Sequence, residues 1–238
     1  HPARSAWRLS GPGEMGRAGE KGAGRSRGFT LVEVMIAMAA GLVVLSGLYQ
    51  VFTFHNRTLK VQELTAEMVQ NARAAMDLMV REIRMAGANP HHAYGESDLS
   101  GIEDASADTF RFTRDISSPA SSGDGDTPDG DHDDPNEDIT FSLHESDGVK
   151  TLRRTTRESP QPLISPLESL VFRYFDRVGR EIANPGNRLA DIHALSVALV
   201  VRTARRDPRY RENGGYRTFE VTSWITLRNR PFMRRNTP

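Results

Sequence analysis

The chain contains no cysteine, which excludes disulfide frameworks, thiolate zinc sites and cysteine nucleophiles together. Lysine is nearly missing: Lys21, Lys60 and Lys150 stand alone among 31 basic residues, the rest being arginine. Net charge is missing too, because 31 acidic residues balance them. That balance argues against bulk nucleic-acid binding and leaves only a local basic face open. Aromatic residues make up just 7% of the chain. No H-E-x-x-H, phosphate-loop or kinase pattern occurs. The carboxylates crowd into a hydrophilic stretch, where nothing would raise one pKa above its neighbours. The sequence therefore reads as a non-enzyme.

What is present is strongly segregated. From Phe29 to Phe54 the only formal charge is Glu33. About 20 apolar residues suffice to cross a bilayer as a helix, so residues 29–54 are expected to span a membrane. Residues 1–28 are Gly-, Arg- and Ser-rich and read as a leader without packed structure. A start at Met15 would leave a short leader bearing Arg17, Lys21, Arg25 and Arg27 against Glu20. A basic flank of that kind stays on the cytoplasmic side.

The apolar run continues without proline into an amphipathic pattern. Val61, Leu64, Met68, Ala72, Ala75, Met79, Ile83 and Ala86 recur at helical spacing. Gly87-Ala88-Asn89-Pro90 supplies the stop. One helix is expected from about Leu31 to Ala86, its first half (29–54) suited to lipid and its second (55–88) to a globular head. In 89–238 the period changes to two. Strands are expected at Thr109–Thr113, Ile139–Leu143, Lys150–Arg154, Leu170–Phe175, Ala194–Thr203 and Arg217–Leu227. A polar, acidic insertion occupies 115–138. The fold class is α+β: a long N-terminal helix packed on an antiparallel sheet head, a lollipop.

Arg27-Gly28-Phe29-Thr30-Leu31-Val32-Glu33-Val34-Met35-Ile36-Ala37 resembles the class III signal of type IV pilins and type II secretion pseudopilins. The resemblance implies a type IV pilin-like fold and cleavage between Gly28 and Phe29 by prepilin peptidase. It also implies N-methylation of Phe29, and a pairing of Glu33 with a neighbouring subunit's Phe29 amine that sets the register of assembly. Glycine leaves an unhindered peptide for a membrane protease. A carboxylate inside a bilayer costs about 3 kcal/mol and calls for a partner. The alternative is a plain signal anchor whose glutamate snorkels to water.

Further along, Ala72 to Pro90 resembles the helix end of PilW-like minor pilins. The later layout resembles that group as well, in Asp138-Ile139-Thr140-Phe141, Leu152-Arg153-Arg154, Leu170 to Asp176, the β-rich segment near Val197, and Leu227-Arg228-Asn229. The J-type pseudopilin of type II secretion is the second reading. Gln50 stands where major pilins often carry a helix proline, which suits a minor subunit. Gly41 and Gly47 serve either as close-packing points between helices or as ordinary membrane-helix glycines. The resemblance implies an inner-membrane protein with its head in the periplasm, later carried to the pilus and cell surface. Its partners would be prepilin peptidase, other minor and major pilins, the inner-membrane assembly platform, and membrane lipid before assembly.

Two further patterns are weighed against plainer readings. Asp124, Asp126, Asp129 and Asp131 alternate with small residues and would suit calcium, which takes six to eight oxygens. The EF-hand template fails, since Pro128 falls on a ligand position, and a solvated acidic loop is the preferred reading. No cofactor is required. His91-His92 reads as a surface turn. Between Arg202 and Arg217, Tyr210 and Tyr216 are interleaved with arginines. DNA contact there is set aside in favour of an exposed hairpin or a patch docking on another subunit.

Overall fold

Residues Leu31–Arg84 form a single α-helix, α1, of 54 residues in the computed structural model of the protein. The structure describes residues 28–89, 101–116, 134–157 and 159–229. The chain divides into two compact units, His1–Thr53 and Phe54–Pro238. In the first, the helix is long and apolar enough to cross a membrane, and none of that apolar window is buried in protein. Two of its hydroxyls turn back onto the backbone: Ser46 Oγ donates to Leu42 O at 2.7 Å and Thr53 Oγ1 to Gln50 O at 3.0 Å. Such internal satisfaction is what a solvent without hydrogen-bond partners demands.

In the second unit the helix has one buried face. Met68, Ala72, Ala75, Met76, Met79 and Ile83 are buried on it, following the expected spacing with Met76 added. The partner is a seven-stranded antiparallel sheet: β1 (Asp104–Ala105), β2 (Thr109–Thr113), β3 (Asp138–Ser146), β4 (Val149–Thr155), β5 (Pro160–Phe175), β6 (Ala194–Arg202) and β7 (Thr218–Thr226). Each strand pairs with its sequence neighbour, so the sheet is a simple meander. The β3–β4 turn is Asp147-Gly148, both at positive φ (53° and 72°), as a two-residue hairpin turn requires.

Alternation puts Phe110, Phe112, Phe141, Phe172 and Tyr174 into the core with the helix. The Phe110 and Phe112 ring centroids lie 5.6 Å apart, and Phe110 and Phe172 5.9 Å. The β1–β2 turn reaches β5: Phe172 N donates to Ala107 O at 2.7 Å, and the Tyr174 hydroxyl donates to Ser106 O at 2.8 Å. This curls the sheet around the aromatic cluster. Burial pushes the Tyr174 hydroxyl far above the usual tyrosine range.

The expected strands need one correction and one addition. The fifth strand begins at Pro160, ten residues before the expected Leu170, and its first half carries Pro160, Pro162 and Pro166, residues that leave no strand signal in a sequence. Register shifts between β4 and β5 accommodate that first half. The two-residue β1 is too short to leave a periodic signal. At the helix end, Gly87 (φ 73°) and Gly101 (φ 71°) meet backbone to backbone. A Cβ on Gly101 would stand 2.7 Å from the Gly87 Cα, so neither position has room for a side chain.

Phe112 is fully buried in the aromatic cluster, whereas Val171 lies on the sheet's outer face. Phe112→Ala is expected to destabilise the head by about 3–5 kcal/mol. Val171→Ala should stay within about 0.5 kcal/mol of the parent. Urea unfolding of detergent-solubilised protein, followed by circular dichroism, checks the pair; equal effects would contradict this core.

Candidate processing and assembly site

Thr30, Leu31, Val32 and Glu33 start the helix as a hydrogen-bonded unit. The Glu33 N–H donates to Thr30 Oγ1 at 3.2 Å, and the Val34 N–H to Thr30 O at 3.2 Å. Thr30 is thus the N-cap, and Glu33 is the acid in the first turn. The S/T-x-x-E spacing is a helix-start signature in its own right, legible in the sequence though not used to place this end. The helix dipole presents partial positive charge here, so a carboxylate at Glu33 is favoured by its own helix before any partner arrives.

Gly28 and Phe29 precede this cap in non-helical backbone, and Phe29 is 82% exposed. A Cβ built on Gly28 would meet nothing within 4 Å. The peptide between them is therefore accessible on both sides. Cutting it would place a new amine next to the positive end of α1, where it repels the dipole and gains from a carboxylate. Gly28, Phe29 and Glu33 fall within six consecutive residues at the start of α1, all exposed.

Other sequence candidates fare differently. Asp124, Asp126, Asp129 and Asp131 lie outside the described residues, as do His91 and His92. Among the described residues no group of three or more His, Asp or Glu side chains could hold a metal. The ends of the acidic insertion are not solvated as expected: Asp115, Asp134 and Glu137 are buried. The reason is a clasp. Glu137 accepts the Ile116 N–H at 2.8 Å on Oε1 and the Asp134 N–H at 3.3 Å on Oε2.

Arg154 grips Glu82 of α1 with two bonds of 2.8 and 2.9 Å and donates to Asn136 Oδ1 at 3.0 Å. Arg114 lies 3.9 Å from Glu82 and donates to Asn136 O at 2.9 Å. Burial pulls the Arg114 guanidinium below its usual range, against the pull of Glu82. This buried network ties the helix to the base of the insertion. Single charged residues carry no periodic signal, which is why sequence reasoning missed it.

The basic hairpin after β6 is ordered by its own arginines. Arg202 and Arg206 lie over the Tyr216 ring at 4.5 and 5.3 Å, and Arg217 over Tyr210 at 5.0 Å. Asp207 accepts the Arg209 N–H at 3.0 Å and an Arg217 bond at 3.1 Å, which hold its carboxyl below the usual range.

Residues 24–49 match a sequence-family model described as a prokaryotic N-terminal methylation motif. The matched stretch contains Gly28, Phe29, Glu33 and most of the apolar run. No curated protein matches the chain. Among solved structures, the type IV-like pilin TTHA1219 from Thermus thermophilus is similar at 10% identity and a TM-score of 0.40. That similarity covers 68% of this chain and 98% of the other. The chain carries a prepilin-type N-terminal methylation motif.

Removing the cap separates the two roles of this end. Thr30→Ala should raise amide exchange at Glu33 and Val34 by about fivefold, the equivalent of about 1 kcal/mol for a lost N-cap. Exchange at Leu45 should not change. Hydrogen-exchange mass spectrometry in lipid nanodiscs reads both; an unchanged Glu33 would contradict the cap.

Proposed function

We propose that the chain is a minor pilin. Prepilin peptidase cuts it after Gly28, Phe29 is N-methylated, and the apolar helix packs into a complex that initiates a type IV pilus. The observation that carries this reading is the exposed Gly28–Phe29 peptide leading directly into a capped apolar helix with Glu33 in its first turn. Methylation keeps the amine's charge, so the processed end remains a cation able to pair with a neighbouring subunit's Glu33. Pairing across subunits lets each carboxylate meet a fixed charge once lipid surrounds the bundle. Before assembly the head stands in the periplasm and the helix in the inner membrane. The assembly platform and other pilins are its partners there.

Two substitutions test this reading. Gly28→Arg should leave the leader attached. Glu33→Ala should be cleaved normally while the yield of sheared filaments falls by at least about tenfold, because the initiating complex then lacks the carboxylate that this subunit offers to a neighbour's amine. Immunoblots of membrane and sheared-filament fractions read both. Normal piliation with Glu33→Ala would sink the pairing. Normal piliation combined with lost protein secretion would move the chain to a pseudopilin.

A further inference from the structure

Phe54 is the last residue of the apolar run, and it carries a basic cap. The run 29–54 is about 39 Å long at 1.5 Å per residue, close to the thickness of a bilayer with its headgroups. Phe54 therefore falls at headgroup level if the helix spans, a premise this inference takes from the proposed function. The Arg209 guanidinium lies over the Phe54 ring at 5.3 Å. Residue 209 belongs to the hairpin between β6 and β7, so the fold returns to this point of the helix more than 150 residues later.

Arg209 is not alone there. Arg205, Arg206 and Arg211 of the same hairpin are exposed, as are Arg57 and Lys60 on the first turns of α1 beyond Phe54. Among the described residues, none of these six has a carboxylate at ion-pair distance. The hairpin's own acids are engaged: Asp207 holds Arg217, and Glu212 accepts the Tyr210 hydroxyl at 2.9 Å. The aromatic faces are engaged too, Tyr216 by Arg202 and Arg206 and Tyr210 by Arg217. Rings already covered by guanidinium groups are poor platforms for stacking nucleobases. What remains is unpaired positive charge beside an aromatic residue at the end of an apolar helix, an arrangement that suits a lipid surface.

We infer that Arg205, Arg206, Arg209 and Arg211, with Arg57 and Lys60, form a surface that binds anionic phospholipid headgroups of the outer leaflet of the inner membrane. Bound lipid would hold the head against the membrane until extraction into a filament, when the headgroups are left behind. Such contacts are electrostatic and weaken with salt, since the screening length falls from about 8 Å at physiological ionic strength to about 3 Å at 1 M.

The absence of cysteine makes the test direct. Full-length protein carrying Ala204→Cys, labelled with a fluorophore, is reconstituted into vesicles of phosphatidylcholine alone or enriched in phosphatidylglycerol. Both contain a headgroup nitroxide lipid as quencher. Quenching several-fold stronger with phosphatidylglycerol is expected, lost in high salt and lost in the Arg205→Glu/Arg206→Glu/Arg209→Glu protein. The salt arm uses the parent protein, so it stands even if the triple variant misfolds. Equal quenching in the two vesicles overturns the inference. A label that ignores phosphatidylglycerol but responds to duplex DNA overturns it in favour of nucleic acid. A second label at Val43→Cys, read with an acyl-chain nitroxide, reports the span: its quenching with an indifferent Ala204 label rejects the lipid surface alone, whereas an unquenched Val43 label rejects the membrane-spanning premise.

Discussion

A bilayer offers the backbone no hydrogen-bond partners, and the apolar first half of α1 is built to meet that constraint. It requires an unbroken helix, and residues Phe29 to Phe54 contain no proline. It requires that hydroxyls bond locally, as Ser46 and Thr53 do. It makes every charge an exception that needs a reason, and Glu33 is the one exception between Phe29 and Phe54. Its reason begins within the chain, where Thr30 caps the helix and the dipole favours a carboxylate. The carboxylate's remaining capacity is what a partner's amine would use.

Beyond Phe54 the same helix meets a different demand. A thin sheet cannot exclude water by itself, so Met68, Ala72, Ala75, Met76, Met79 and Ile83 close one side of it. The alanines let the helix approach closely, while the bulk comes from the aromatic cluster on β2, β3 and β5. The Glu82–Arg154 pair then fixes the helix to the base of the acidic insertion. Replacing one partner would strand the other in the core, so the pair specifies an arrangement more than it adds net stability.

Most of this fold was legible because it rests on periodicity. The helix, its buried stripe and the strands β2, β3, β4, β6 and β7 each repeat a pattern over several residues. The illegible parts depend on single residues or on distant contacts. Proline-rich β5 is stabilised by its neighbours despite its composition. Glu137 closes the insertion through two backbone donors that no local pattern announces. At the candidate site, Gly28, Phe29 and Glu33 were readable as a motif, whereas Arg209 over Phe54 joins segments far apart in sequence.

The central claim is that the chain enters a filament with a processed, charged end. The most direct measurement is the mass of the N-terminal peptide, taken from the native envelope and from sheared surface filaments. The account predicts a filament peptide that begins with methylated Phe29. A chain that still carries residues before Gly28 would contradict it and leave a plain membrane anchor.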